Sequence, residues 1–218
     1  KTVSNGYLQM TIDIMKNFGV EVEYTNDTVF VKAGQNYRFS GSYQVEPDFS
    51  SACYFWALGC FSEIGIGVEA GEATTSQKSL QPDFGFLKLL KEIGADIETS
   101  DKIITVRKRE LHGISADMNE MPDQVPTLAA IALFADSPTF IENIEHLTYK
   151  ESNRIEMIIS SLTKIGAKAE FRDTILSIYP LKSLDEIILT SVDCGNDHRI
   201  YLMLYLIRLI SGRKFTII

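Results

Sequence analysis

One structural unit is written into this chain three times. An amphipathic helix, a glycine, a short strand, an acidic turn and a second strand recur in that order. The first copy runs through Ile12, Met15 and Phe18, then Gly19-Val-Glu-Val-Glu, a turn at Asn26-Asp27, and Val29-Phe-Val. The second has Leu87, Leu90 and Ile93, then Gly94-Ala-Asp-Ile-Glu, a turn at Ser100-Asp101, and Ile103-Ile-Thr-Val. The third has Ile159, Leu162 and Ile165, then Gly166-Ala-Lys-Ala-Glu, a turn at Asp173, and Ile175-Leu-Ser-Ile. The glycines at 19, 94 and 166 are therefore 75 and 72 residues apart. Each sits where a helix C-terminus favours a left-handed residue, and the alternation after it is strand-like.

A second motif repeats in the same frame. Pro47-Asp48, Pro122-Asp123 and Asn196-Asp197 each precede a helix-like apolar stretch. Asp is a favoured helix N-cap, so all three carboxylates read first as caps. Together the signals predict an α/β (α+β) chain built on a unit of about 70 residues with the order helix, strand, helix, strand, strand. Two units are nearly complete, from about 44 to about 108 and from about 119 to about 180. The chain opens late in one unit and closes early in another, the pattern expected of a piece of a larger repeat protein.

Three cations stand where helix physics disfavours them. Lys150 and Arg154 precede the apolar ladder Ile155, Ile158, Ile159, Leu162, and Arg199 precedes the run from Ile200 to Ile207. Both segments read as helix starts, where the macrodipole favours anions. Lys150 and Arg154 are also like charges at i,i+4 spacing, which repel on a bare helix. An anion docked against those helix ends, a phosphate or a carboxylate, would resolve both conflicts. The bland alternative is a solvated pair of cations screened by Glu151. Counting back from the repeated glycines places Ser4, Tyr7, Lys150, Glu151 and Arg154 at equivalent strand-to-helix junctions, where α/β architectures commonly bind ligands.

Net charge is −8 with no Lys/Arg-rich run. That disfavours nonspecific nucleic-acid or anionic-membrane binding, and requires that any anion be captured by a focused pocket. Cys53, Cys60 and Cys194 make an odd count without close ligand spacing, pointing to a reducing, cytoplasmic compartment with Cys53 and Cys60 as core thiols. His112 and His146 lack companions at metal-ligand spacing. Trp56 and the Phe/Tyr stretch around Cys53 read as core. No apolar run approaches the length of a membrane span, since Arg208 ends the longest.

Taken together, Asp117-Met-Asn-Glu-Met-Pro-Asp123, Lys150-Glu-Ser-Asn-Arg154 and Asn196-Asp-His-Arg199 resemble 3-phosphoshikimate 1-carboxyvinyltransferase, the EPSP synthase family. Ser4-Asn-Gly-Tyr7 followed by Met10-Thr-Ile resembles that family's segment too, which more often has Pro at the place of Gly6. The resemblance runs over essentially all of the chain. It implies two globules of repeated βαβαββ units, the inside-out barrel of the enolpyruvyl transferases. Residues 1–42 would close the N-terminal globule, with residues 43–218 forming the C-terminal one and a hinge near Ser40-Gly-Ser-Tyr43.

The activity implied is transfer of the enolpyruvyl group of phosphoenolpyruvate to the 5-hydroxyl of shikimate 3-phosphate, releasing phosphate, with no metal or organic cofactor. Arg154, Arg199 and His198 match phosphoenolpyruvate-binding positions. Ser4 and Tyr7 match contacts to shikimate 3-phosphate. Asp123 matches the carboxylate that holds the shikimate hydroxyls and acts as base. Lys150 matches a lysine contacting the reacting hydroxyl and both substrates. Glu151 matches a carboxylate that moves the proton on and off the methylene carbon, a role in which burial or substrate charge must offset Lys150 and Arg154. A monomer is expected, inert alone because the family chain is roughly twice as long. His146 stands where the family often has Asn, and Tyr201 where a small residue is usual. Two alternatives are a UDP-N-acetylglucosamine enolpyruvyl transferase, against which Lys150 and His198 discriminate, and a non-catalytic phosphate-binding module.

Overall fold

The computed structural model describes residues 3–76 and 79–218. Each repeated glycine ends a helix in the left-handed conformation, with φ of 79° at Gly19, 111° at Gly94 and 94° at Gly166. The first copy is helix α1 (Asn5–Asn17) and a hairpin of β1 (Val22–Thr25) and β2 (Thr28–Val31). Its turn residues Asn26 and Asp27 both take positive φ, the geometry that matches strand twist in two-residue hairpins.

Five further elements and a short α-helical turn build the second copy. Helix α2 (Phe49–Gly59) leads to β3 (Ile66–Glu69) and the turn α3 (Ala73–Ser76). Helix α4 (Phe86–Ile93) then leads to β4 (Asp96–Ser100) and β5 (Ile103–Arg107). The sheet order is β3-β5-β4, all antiparallel.

In the third copy the full βαβαββ unit is visible. It runs β6 (Ser115–Asp117), α5 (Val125–Ala132), β7 (Thr139–Glu142), α6 (Arg154–Lys164), β8 (Lys168–Arg172) and β9 (Ile175–Tyr179). Its order is β6-β7-β9-β8, with β6 and β7 parallel across α5 and the rest antiparallel. The chain then repeats the opening βαβ move: β10 (Ser191–Val192), α7 (His198–Ser211) and β11 (Thr216–Ile217), with β10 and β11 parallel. The sequence-predicted unit order is therefore present as drawn.

Helices α2, α5 and α7 occupy equivalent places in three units and pack on one another. Every residue of α5 is buried, as expected of a helix apolar on all sides. Cys53, Trp56 and Cys60 are core residues, and the Trp56 indole N–H donates to the Ile104 carbonyl at 3.2 Å. Phe55 departs from expectation: it is exposed, on the outward face of α2 that it shares with Ser51 at i,i+4 spacing. Residues 5–31 carry a separate small apolar cluster around Ile12, Val20 and Val22.

Candidate active site

The repeated aspartates have diverged in use. Asp48 is the N-cap of α2, accepting from the Ser51 N–H at 3.1 Å. Asp197 caps α7 through the Arg199 N–H at 2.9 Å. Asp123 caps nothing, which corrects the reading from repeat position. It lies in a 3-10 turn (Pro122–Gln124) ahead of α5 and turns its side chain toward the cations.

Those cations converge on it. Asp123 Oδ1 accepts from Arg154 Nη1 at 3.0 Å and faces Lys150 Nζ at 3.2 Å, while Oδ2 accepts from Arg199 Nη2 at 3.3 Å. Arg154 is 1% exposed and is held from a second side by Asp197, whose Oδ2 takes its Nε–H at 3.0 Å. Its Nη2 also donates to Glu151. Lys150 lies outside the helix, in extended backbone before α6, so the like-charge i,i+4 conflict does not arise. The two cations meet across one carboxylate instead. The helix-start puzzle is thus solved in part from within: three cations face the three carboxylates Asp123, Glu151 and Asp197.

Burial would push the Asp123 carboxyl up, but Arg199, Lys150 and Arg154 outweigh it and hold it below the usual carboxylate range. Asp197 behaves alike: burial is again opposed and overcome, here by Arg154 and Ser152. Arg199 spans the centre, its Nη1 donating to the Tyr54 hydroxyl at 3.2 Å. Among the described residues its buried Nε–H has no acceptor, an open donor that costs about 1–3 kcal/mol until one arrives. His146 Nε2 is likewise buried without a partner, and burial, then Lys150, lower the histidine's pKa.

From the other side comes α1. The Ser4 N–H donates to the Asn119 carbonyl at 3.3 Å, the Gly6 N–H to Glu120 at 2.8 Å, and the Tyr7 hydroxyl to Asp83 at 2.7 Å. Proline at position 6 could not make that bond, and a Cβ there would sit 2.6 Å from the Pro82 ring. Of the residues picked from sequence, Asp123, Lys150, Glu151, Arg154 and Arg199 form one contact network, and Tyr7 borders it. Ser4 faces the same loop through its backbone. His198 is exposed at the start of α7 and makes none of the cluster's hydrogen bonds.

Asp83, Tyr54, Asp197 and Gln124 were missed as site residues. Asp197 was visible only as a cap. Asp83 had the signal of a further Pro-Asp pair at a unit junction, its Pro82 being the repeat counterpart of Tyr7 and Arg154. Tyr54 carried no signal, since its role depends on α7 crossing α2.

Comparison with known proteins decides the family. The family model described as EPSP synthase (3-phosphoshikimate 1-carboxyvinyltransferase) matches residues 1–218. The chain belongs to the EPSP synthase family. A 3-phosphoshikimate 1-carboxyvinyltransferase of Pseudoalteromonas translucida is 37% identical over 216 residues, which is 99% of this chain and 49% of the relative. One of Yersinia pseudotuberculosis is 37% identical over 224 residues, with the same coverage of each. The chain thus spans about half the length of the curated relatives it matches. EPSP synthase from Acinetobacter baumannii has a similar fold, with TM-score 0.70 and 23% identity over 91% of this chain and 47% of that one. The enolpyruvyl transferase NikO from Streptomyces tendae has a TM-score of 0.65 at 16% identity, covering 91% of this chain and 45% of its own. Among the described residues no helix is long and apolar enough to cross a membrane.

Proposed function

We propose that this chain is the C-terminal part of an enzyme that moves the enolpyruvyl group of phosphoenolpyruvate onto the 5-hydroxyl of shikimate 3-phosphate and releases phosphate. The observation that carries the reading is Asp123, ionised and half-buried, held by Lys150, Arg154 and Arg199 where three helix starts meet. In this reading residues 1–42 belong to an N-terminal globule and 43–218 to a C-terminal one. The enzyme works as a cytoplasmic monomer, and this part alone is inert.

Each role follows from local chemistry. Arg199 presents an unfilled donor and Arg154 a rigid fork, both suited to the phosphate and carboxylate of phosphoenolpyruvate. An arriving anion competes with Asp123 for these cations, so the carboxylate is released toward the shikimate hydroxyls as the ligand takes its place. Asp123 then accepts the proton of the attacking hydroxyl, while Lys150 orients that hydroxyl and both substrates. The methylene carbon gains a proton for addition and loses it for elimination, an exchange assigned to Glu151. Glu151 is half-exposed and reaches Arg154 with one oxygen, and among the described residues the other makes no hydrogen bond and can take up that task. His198 borders phosphoenolpyruvate, with Ser4 and Tyr7 on the shikimate 3-phosphate side.

The test is phosphate release by the intact protein supplied with both substrates, wild type beside Asp123→Asn. Removal of a general base lowers turnover by about 10²–10⁴-fold. A variant within about threefold of wild type would remove Asp123 from the chemistry.

A further inference from the structure

Among the described residues Asp83 is the buried charged side chain outside the Arg154 cluster. It is fully buried, and its carboxylate is satisfied by uncharged donors: Tyr7 at 2.7 Å and Gln124 at 2.8 Å, with Ser50 close on the same oxygen as Gln124. The Cys53 thiol donates to its backbone carbonyl at 3.5 Å. Among the described residues it has no ion pair, and a carboxylate buried in that way is costly to keep where a neutral side chain could pack the space more cheaply. What the carboxylate does that a neutral group cannot is accept from three segments at once: α1, α2 and the turn that carries Asp123. Gln124 extends the chain of bonds by accepting from the Thr127 hydroxyl at 3.0 Å.

The Tyr7 hydroxyl has one proton and commits it to Asp83. Burial first, then the charge of Asp83, push the phenol's ionisation far above its ordinary range, so that proton stays in place. The oxygen's remaining capacity is to accept. We propose that Asp83 is a positioning residue that fixes α1 against the Asp123 turn and makes Tyr7 a hydrogen-bond acceptor, selecting a ligand hydroxyl rather than a phosphate oxygen at that point. The ligand's identity rests on the function proposed above; the Asp83–Tyr7 coupling does not.

Tyrosine 13Cζ spectra of the intact protein at neutral pH separate the two. In Asp83→Asn the Tyr7 signal, assigned by its disappearance in Tyr7→Phe, moves upfield as the anionic acceptor is lost. Calorimetry with shikimate 3-phosphate shows about tenfold weaker binding for each single variant and no further loss in the double variant, because the pair acts as one unit. A Tyr7 signal unmoved by Asp83→Asn overturns the proposal, and so do additive losses. A signal that moves in a protein that binds no shikimate 3-phosphate upholds the coupling and rejects the ligand. Tyr7→Phe preserves packing, so tight binding by that variant overturns the acceptor role even if Asp83→Asn fails to fold.

Discussion

The hairpins β1–β2 and β8–β9 follow one sequence pattern and end in different surroundings. Both hairpins follow a left-handed glycine and turn on positive-φ residues. Yet Leu176 and Ile178 of β9 are completely buried, whereas their repeat equivalents Val29 and Val31 of β2 are 38% and 42% exposed. The difference lies outside the hairpins. Strand β9 pairs on its second edge with β7, and β5 likewise with β3, while among the described residues β2 pairs only with β1. The motif therefore specifies its own turn and cap locally, and burial of its second strand is conferred by a neighbour. On the proposed division into globules, that neighbour belongs to the other half of the protein.

The two hairpins differ most at their glycines. A Cβ on Gly166 or Gly94 would lie 2.4 Å from a backbone carbonyl, of Glu186 and Glu110 respectively, but on Gly19 it would lie 3.2 Å from that of Arg38. Gly166→Ala adds this clash to the left-handed penalty and is expected to cost about 4 kcal/mol, against about 1–2 kcal/mol for Gly19→Ala, read by urea denaturation. Next come the strands. Ile178→Ala should cost about 3 kcal/mol, and Val31→Ala less than about 0.5 kcal/mol in this chain. The same Val31→Ala change should rise to about 2 kcal/mol in the intact protein if its other half covers β2. Equal costs in both contexts would remove the missing neighbour from the explanation.

A smaller effect distinguishes the regions by pH. Asp123 and Asp197 have carboxyls held below their unfolded values. Their contribution is complete above the unfolded carboxylate pKa of about 4 and is lost as pH falls through the depressed folded values. Denaturation midpoints should drop in that acid window, and Asp197→Asn should flatten the drop. A midpoint falling equally steeply in that variant would place the acid sensitivity elsewhere.

The unit order, the capping glycines, the hairpin turns and the Lys150–Arg154 cluster were all legible in the sequence, because each is a local pattern or a spacing of one type of charge. Partners of those charges were not legible. Asp123 read as a cap because its repeat siblings Asp48 and Asp197 are caps, and only the packing of α7 against both α5 and α6 brings it to Arg154 and Arg199. Asp83 and Tyr54 act through contacts 76 and 145 residues distant in sequence, which no local pattern encodes.

The proposed role of the Asp123 cluster is to hold two anionic substrates. It is tested most directly by calorimetric titration of shikimate 3-phosphate, then phosphoenolpyruvate, into the intact protein, wild type beside Lys150→Ala. Shikimate 3-phosphate is expected to bind wild type and to bind the variant at least about tenfold more weakly, the loss of one charge-assisted contact. Undiminished binding by the variant, or binding of UDP-N-acetylglucosamine in place of shikimate 3-phosphate, would contradict it.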